Sequence, residues 1–177
     1  MKNVVKFLGM MFVVLGILVL GKSAHAEEPA DSLLDMNYLQ QYVIQSDDRL
    51  IFDVDRAEQN QESTIILEVG QTFNQFAKLD DNTTEGKKRV IRAISIPIYG
   101  NYCGPGTDFN SARKPIDQLD KYCMYHDLCY GAHVWGNKQC DIQLVTNLTT
   151  GLRNGTIKGA KAVAVANAAI LYSANKG

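Results

Sequence analysis

The sequence predicts a mainly α-helical domain: two antiparallel helices linked by disulfides, preceded by a glycine-rich loop suited to a cation. Three observations carry that expectation. All four cysteines fall between Tyr99 and Asp141. A helical stripe from Ile116 to Tyr130 mixes aliphatic anchors with the adjacent pair His126-Asp127. A second stripe follows after residues 131–139, a link short enough to make the two helices antiparallel neighbours.

The first 26 residues stand apart from the fold. Lys2 and Lys6 give a basic start, the run from Phe7 to Leu20 is almost continuously apolar, and Ser23-Ala24-His25-Ala26 ends in a small-x-small pattern. This reads as a secretory signal, too short and wrongly flanked for a stable membrane span, so the expected destination is outside the cell. An uncleaved anchor is the rival reading. Without residues 1–26 the chain has about 151 residues, enough for one domain with a core. Losing Lys2, Lys6 and Lys22 takes the 18 basic residues to 15 against 19 acidic ones, a formal charge of about −4. That balance gives no footing for a nucleic-acid partner. Four cysteines behind an export signal read as two disulfides.

Residues 27–98 form a long front segment. Spaced apolar positions from Asp31 to Gln45 suit a short helix. Leu50 to Val54 and Ser63 to Val69 are rich in branched residues and read as a pair of strands. Gln71 to Leu79 is helical, with Phe73, Phe76 and Leu79 near one stripe, and residues 80–86 are a polar loop. Structural cover for the centre is the expected role of 27–98; a recognition or propeptide role is the alternative.

Residues 99–150 form the central core. Pro115 suits the first position of its first helix, where a missing backbone donor costs nothing. On a wheel turning about 100° per residue, Ile116, Leu119, Asp120, Cys123, His126, Asp127 and Tyr130 fall within about 120°. Gly131 ends this helix. The next starts near Lys138 or Gln139 and runs through Leu148, with Asp141, Leu144, Val145 and Leu148 on one side. A bridge between Cys129 and Cys140 would clamp the near ends of the pair. In residues 151–177, the stretch from Ala160 to Leu171 has high helix propensity and is expected to pack on the core. A membrane or partner contact is the other option for it.

The chemistry is concentrated at the centre. The two glycines around Pro105 in Cys103-Gly104-Pro105-Gly106 permit a tight turn whose carbonyls can converge on a hard cation. A bridge from Cys103 to Cys123 would lay that turn beside Asp127, whose carboxylate would complete an oxygen cage suited to calcium. His126 points into the same cleft about 100° away. Asp141 on the opposing helix can hold the histidine's other nitrogen and fix its tautomer, and Tyr130 can buttress the network. The nearby cysteines are expected to be oxidised, which leaves water as the nucleophile and His126 as its base, with the Gly104 amide sharing the developing charge. Cys123, His126 and Cys129 have transition-metal spacing. On one helix they spread over about 120° and do not converge, so zinc is rejected.

These residues resemble secreted phospholipase A2. The family's calcium loop, Y-G-C-Y-C-G-x-G, is similar to Tyr99-Gly100-Asn101-Tyr102-Cys103-Gly104-Pro105-Gly106, and its C-C-x-x-H-D-x-C helix is similar to 122–129. Cys140-Asp141 resembles the Cys-Asp pair of its second long helix. The resemblance implies calcium held by the backbone oxygens of Tyr102, Gly104 and Gly106 with the Asp127 carboxylate. It implies water activated by His126, an orienting Asp141, a supporting Tyr130, and disulfides Cys103–Cys123 and Cys129–Cys140. The implied activity is hydrolysis of the sn-2 ester of glycerophospholipids in a membrane surface or micelle. Ile96, Ile98, Val134 and Trp135 are candidates for an apolar rim, Trp135 foremost.

The departures from the pattern are specific. Asn101 and Tyr122 stand where the family has cysteines, Thr107 replaces a usual glycine, and the link between the helices leaves no room for a β-wing. The similarity is therefore to small or divergent, microbial-type members. It covers about a quarter of the chain, and 27–98 has no counterpart in it. The alternative function is a calcium-binding or toxin-like interaction protein on the same scaffold. Such relatives often lose the histidine, the aspartate or the loop glycines, and this chain keeps them all.

Overall fold

A computed structural model describes residues 33–46, 49–81, 97–104, 113–133 and 137–176. The expected signal 1–26, Ile96, the loop residues 105–107, and Val134 and Trp135 lie outside them. In chain order the described elements are α1 (Met36–Gln40), β1 (Val43–Ser46), β2 (Arg49–Phe52), α2 (Val54–Gln59), α3 (Thr64–Asp81), α4 (Gln118–Ala132), α5 (Lys138–Arg153) and α6 (Ala160–Asn175).

The front segment differs from its sequence reading in two places. Asp35 caps α1, accepting from the amides of Asn37 and Tyr38, and the chain leaves the helix at Gln41 to enter β1. The strand beginning at Arg49 pairs with this β1 in an antiparallel hairpin, Val43 opposite Phe52 and Ser46 opposite Arg49. Residues 63–69 are not its partner; they open α3. Branched residues favour strands, but Ile66, Val69, Phe73 and Ala77 recur at helical spacing and all are buried, so burial of one face overrides local propensity. Asn74 of α3 then closes the sheet edge. Its Oδ1 accepts from the Phe52 amide at 2.7 Å and its Nδ2 donates to the Phe52 carbonyl at 2.9 Å.

Helix α6 lies in the middle of the packing. Ala164, Ala168 and Leu171, four and three residues apart, face α3 in a cluster with Leu39, Tyr42, Phe52, Val69 and Phe73. Its other side, Ala162, Val163, Ala166 and Ile170, joins Leu119, Leu148 and Leu152 of the central pair and Ile157 of the connection after it. An alanine-rich helix suits this double duty, because small side chains let neighbours approach on both sides. One polar residue is buried within it. Asn167 accepts from the Leu34 amide at 2.9 Å and donates to the Val163 carbonyl at 2.8 Å, tying the front segment to the C-terminal helix.

The central helices are close to expectation at two of their four ends, the end of α4 and the start of α5. Pro115 is not helical: α4 starts at Gln118 because the Asp117 side chain caps it, accepting from the Asp120 amide at 2.9 Å. It ends at Ala132, one residue beyond Gly131. Helix α5 begins at Lys138 behind the cap Asn137 and runs past Leu148 to Arg153. Its end is a Schellman motif. Gly155 takes φ +66°, and the Thr156 and Gly155 amides return to the Gly151 and Leu152 carbonyls at 2.9 and 3.3 Å. Disulfides join Cys103 to Cys123 and Cys129 to Cys140, with Cα separations of 5.0 and 5.8 Å. The second bridge ties the C-terminal part of α4 to the start of α5. Ile98 packs against the core on this side.

Candidate active site

The loop 98–104 is anchored before any ligand is considered. The Ile98 and Tyr99 amides donate to the Cys103 carbonyl at 2.7 and 3.1 Å, folding it into a tight bend. Its outer turn is then gripped by a side chain from α4. Asp120 is fully buried, and its carboxylate accepts from the amides of Tyr102 at 2.8 Å, Asn101 at 3.0 Å and Ile116 at 3.0 Å. Gly100 makes this possible. It holds φ +59°, and a Cβ there would sit 2.4 Å from the Asp120 Cγ. Further contacts fasten the loop to the segment entering α4. Asn101 Nδ2 donates to the Lys114 carbonyl at 2.9 Å, the Tyr102 hydroxyl to the Arg113 carbonyl, and the Tyr99 hydroxyl to Asp117. Burial and that carboxylate push the Tyr99 phenol well above its ordinary value.

Behind the loop, α4 and α5 bring the expected pair together. His126 Nε2 lies 2.9 Å from Asp141 Oδ1. A carboxylate only accepts, so Nε2 carries the proton and Nδ1 keeps its lone pair. Tyr130, one turn on, donates its hydroxyl to the same Asp141 oxygen and packs its ring 4.3 Å from the imidazole centroid. Asp141 thus has two donors on one oxygen, which fixes its rotamer and through it the imidazole plane. Burial holds the His126 pKa below its ordinary value, and the charge of Lys176 adds to that; the Asp141 hydrogen bond and charge act the other way. With burial the larger influence, the imidazole is neutral at neutral pH and able to accept a proton.

A cavity of about 620 Å³ opens onto this pair. Tyr102, Gly104 and Asp127 line it together with His126, Tyr130 and Asp141. Its remaining lining is mostly apolar and comes from four helices, with Leu119 of α4, Leu144 and Val145 of α5, Ile170 and Tyr172 of α6, and Phe76 of α3 among it. The structure therefore gathers Tyr102, Gly104, His126, Asp127, Tyr130 and Asp141 around one space, with Cys103–Cys123 and Cys129–Cys140 as its frame. Gly106 is the one expected site residue outside the described residues.

The donor set fits a hard cation. Two backbone carbonyls, of Tyr102 and Gly104, and one buried carboxylate, of Asp127, are oxygen donors of the kind calcium takes. Among the described residues, no three His, Cys, Asp or Glu side chains are grouped to hold a metal.

Three contributors were absent from the sequence reading. Asp120 had been placed on the helix face without a task; a carboxylate among aliphatic residues was the available signal that it meets buried donors. Phe76 and Tyr172 stack at 6.0 Å between ring centroids and join the lining from segments far from the cysteines. No local pattern marks them.

Comparison with known proteins agrees with the geometry. The profile of the phospholipase A2-like domain family matches residues 92–151. Basic phospholipase A2 B of Gloydius halys is 33% identical over 95 residues, 54% of this chain and 59% of that protein. The acidic phospholipase A2 daboiatoxin A chain of Daboia siamensis is 41% identical over 66 residues, covering 37% of this chain and 42% of that protein. Basic phospholipase A2 PLA-B' of Protobothrops flavoviridis is 39% identical over 70 residues, 38% of this chain and 45% of its own. The chain spans about half the length of the curated relatives it matches. No solved structure matches it. Through residues 92–151, with its two disulfides and helical core, the chain is similar to the phospholipase A2-like domain family and to secreted phospholipases A2.

Proposed function

We propose that this protein is a secreted, calcium-dependent phospholipase A2, hydrolysing the sn-2 ester of glycerophospholipids to a fatty acid and a lysophospholipid. The observation that supports it best is the His126–Asp141 hydrogen bond at the opening of a mainly apolar cavity. Asp141 fixes the tautomer in which Nδ1 is the free base. Nδ1 takes a proton from water as the water attacks the ester carbonyl, and returns it to the leaving alkoxide as the tetrahedral intermediate collapses. Gly104 lines the cavity, and its amide would be the donor to the oxyanion. The apolar walls receive the acyl chain and exclude bulk water from the imidazole. Calcium held by Tyr102, Gly104, Gly106 and Asp127 would supply positive charge at the ester carbonyl. Among the described residues no helix is long and apolar enough to cross a membrane, so the lipid is reached as a surface or micelle.

The test is fatty-acid release from mixed-chain vesicles containing both phosphatidylcholine and phosphatidylglycerol, in calcium, in chelator, and with His126→Gln. Release from the sn-2 position that needs calcium and drops about 10² or more with the substitution is the expected result. Release indifferent to both would refute the mechanism. Calcium binding with no release would make the protein a non-catalytic member of its family.

A further inference from the structure

The front segment and the catalytic stretch meet on α6. Val69 and Phe73 of α3 share a buried cluster with Ala164, Ala168 and Leu171 of α6, and the Phe73 and Phe76 rings stand 5.5 and 6.0 Å from that of Tyr172. The side-chain amides of Gln40 and Asn175 pair reciprocally, at 2.7 and 2.8 Å, which ties the last residue of α1 to the last residue of α6. Nothing covalent reinforces these contacts. All four cysteines lie between 103 and 140 and pair among themselves, so residues 33–81 are joined to 97–176 only through the chain at 82–96. Helix α6 carries no charged residue from Ala162 to Ala174, and Ala162 to Ala168 are all buried, as are Ile170 and Leu171. A helix with one side in water keeps a polar stripe along it. This one has none, so it requires cover on both sides.

A segment between an export signal and a catalytic stretch is often a leader that is cut away. We propose that residues 33–81 are instead a resident part of the catalytic unit: severed from 97–176 they stay bound to α6, and the site is complete only with them in place. The second half rests on the phospholipase reading above; the first stands apart from it. Departure of the front segment would bare Ala164, Ala168 and Leu171 on one piece and Val69 and Phe73 on the other. The free energy of covering that apolar surface again holds the two pieces together without a bridge. Phe76 supplies the reason the site needs them. It lines the cavity beside Tyr172, against which it stacks, so loss of α3 removes one wall and frees the other.

The experiment inserts a site-specific protease sequence within residues 82–86 of the full chain and cuts it to completion. In calcium, the two pieces are expected to leave a sizing column together and to release fatty acid from the mixed-chain vesicles at the uncut rate. The pieces are then parted in urea with the disulfides intact and returned to buffer, beside uncut chain taken through the same cycle. The C-terminal piece alone is expected to be slower by about 10², the scale of a misplaced site, and to recover when the front piece is added back. Separation on the native column overturns the proposal, as does a rate that rises on cutting, the mark of a removed inhibitor. So does a C-terminal piece that is fully active alone, or one that the front piece fails to restore while the uncut chain recovers. If no form hydrolyses lipid, the phospholipase reading has failed and the column decides residence by itself: co-elution upholds it and separation refutes it.

Discussion

Replacing Asp120 with alanine is the most direct test of how the loop is held. Its carboxylate accepts from three main-chain amides, and the side chain is fully buried. Hydrogen bonds to a charged group contribute about 1.5–3 kcal/mol each, but the three share one carboxylate and do not add. Ile116 is largely exposed and Asn101 half-buried, so their amides can turn to water. The Tyr102 amide cannot, and leaving it unpaired costs about 1–3 kcal/mol. The expected loss for Asp120→Ala is therefore about 1–3 kcal/mol. Asp120→Asn keeps one acceptor but turns an NH₂ toward a backbone donor, and should lose about half as much. Both are measured by urea unfolding with the disulfides intact. The carbonyls of Tyr102 and Gly104 move with the loop, so apparent calcium affinity should fall in the same order. A loss under about 1 kcal/mol for Asp120→Ala would refute the claim that this carboxylate anchors the loop.

Three further outcomes are expected. Because burial lowers the His126 pKa and a protonated imidazole cannot act as base, kcat/KM should rise with pH to a plateau whose midpoint lies below 6.5. A midpoint above 6.5 in the pH–rate profile would contradict the neutral, buried imidazole. Asn167→Leu leaves the Leu34 amide without its acceptor and should cost about 1–3 kcal/mol, with earlier proteolysis in the front segment than elsewhere. Uniform protease resistance would show that this contact does not hold the segment. Removing the Cys129–Cys140 bridge as a double serine variant should cost about 2–3 kcal/mol by chain entropy for a loop of its span, read as a lowered unfolding midpoint.

The central helices were legible because their determinants are local. The His126–Asp141 pair and the start of α5 follow from spacing within about 20 residues, where helix geometry limits what can meet, while the disulfide pairing is what the family resemblance implies. The start of α4 was misplaced because Pro115 is compatible with a first turn, whereas the Asp117 cap decides it. In the front segment the error had another cause. Ile65, Ile66 and Leu67 look alike in a strand or a helix over a short window, and only Val69, Phe73 and Ala77 reveal the longer period. The pairing of β1 with β2 was missed because the first half of that hairpin was absorbed into a helix reading. Least legible were the partners of Asp120 and the rest of the cavity lining. The partners of Asp120 come from a loop with no pattern of its own, and Phe76 and Tyr172 reach the cavity only through the packing of α6 against α3.

The arrangement around α6 bears on how far the phospholipase-like segment can be treated as a transferable part. Residues 92–151 carry the proposed base, its orienting carboxylate and the bridges. They carry neither Phe76 nor Tyr172 nor Lys176, and they leave Leu119 and Leu148 without the helix that covers them. Grafted elsewhere, that stretch would bring its reactive groups but no receptor for the molecule they act on. What the flanks contribute is an address: on the proposed reading, which molecule reaches His126, and in what orientation, depends on residues that no comparison confined to 92–151 would read.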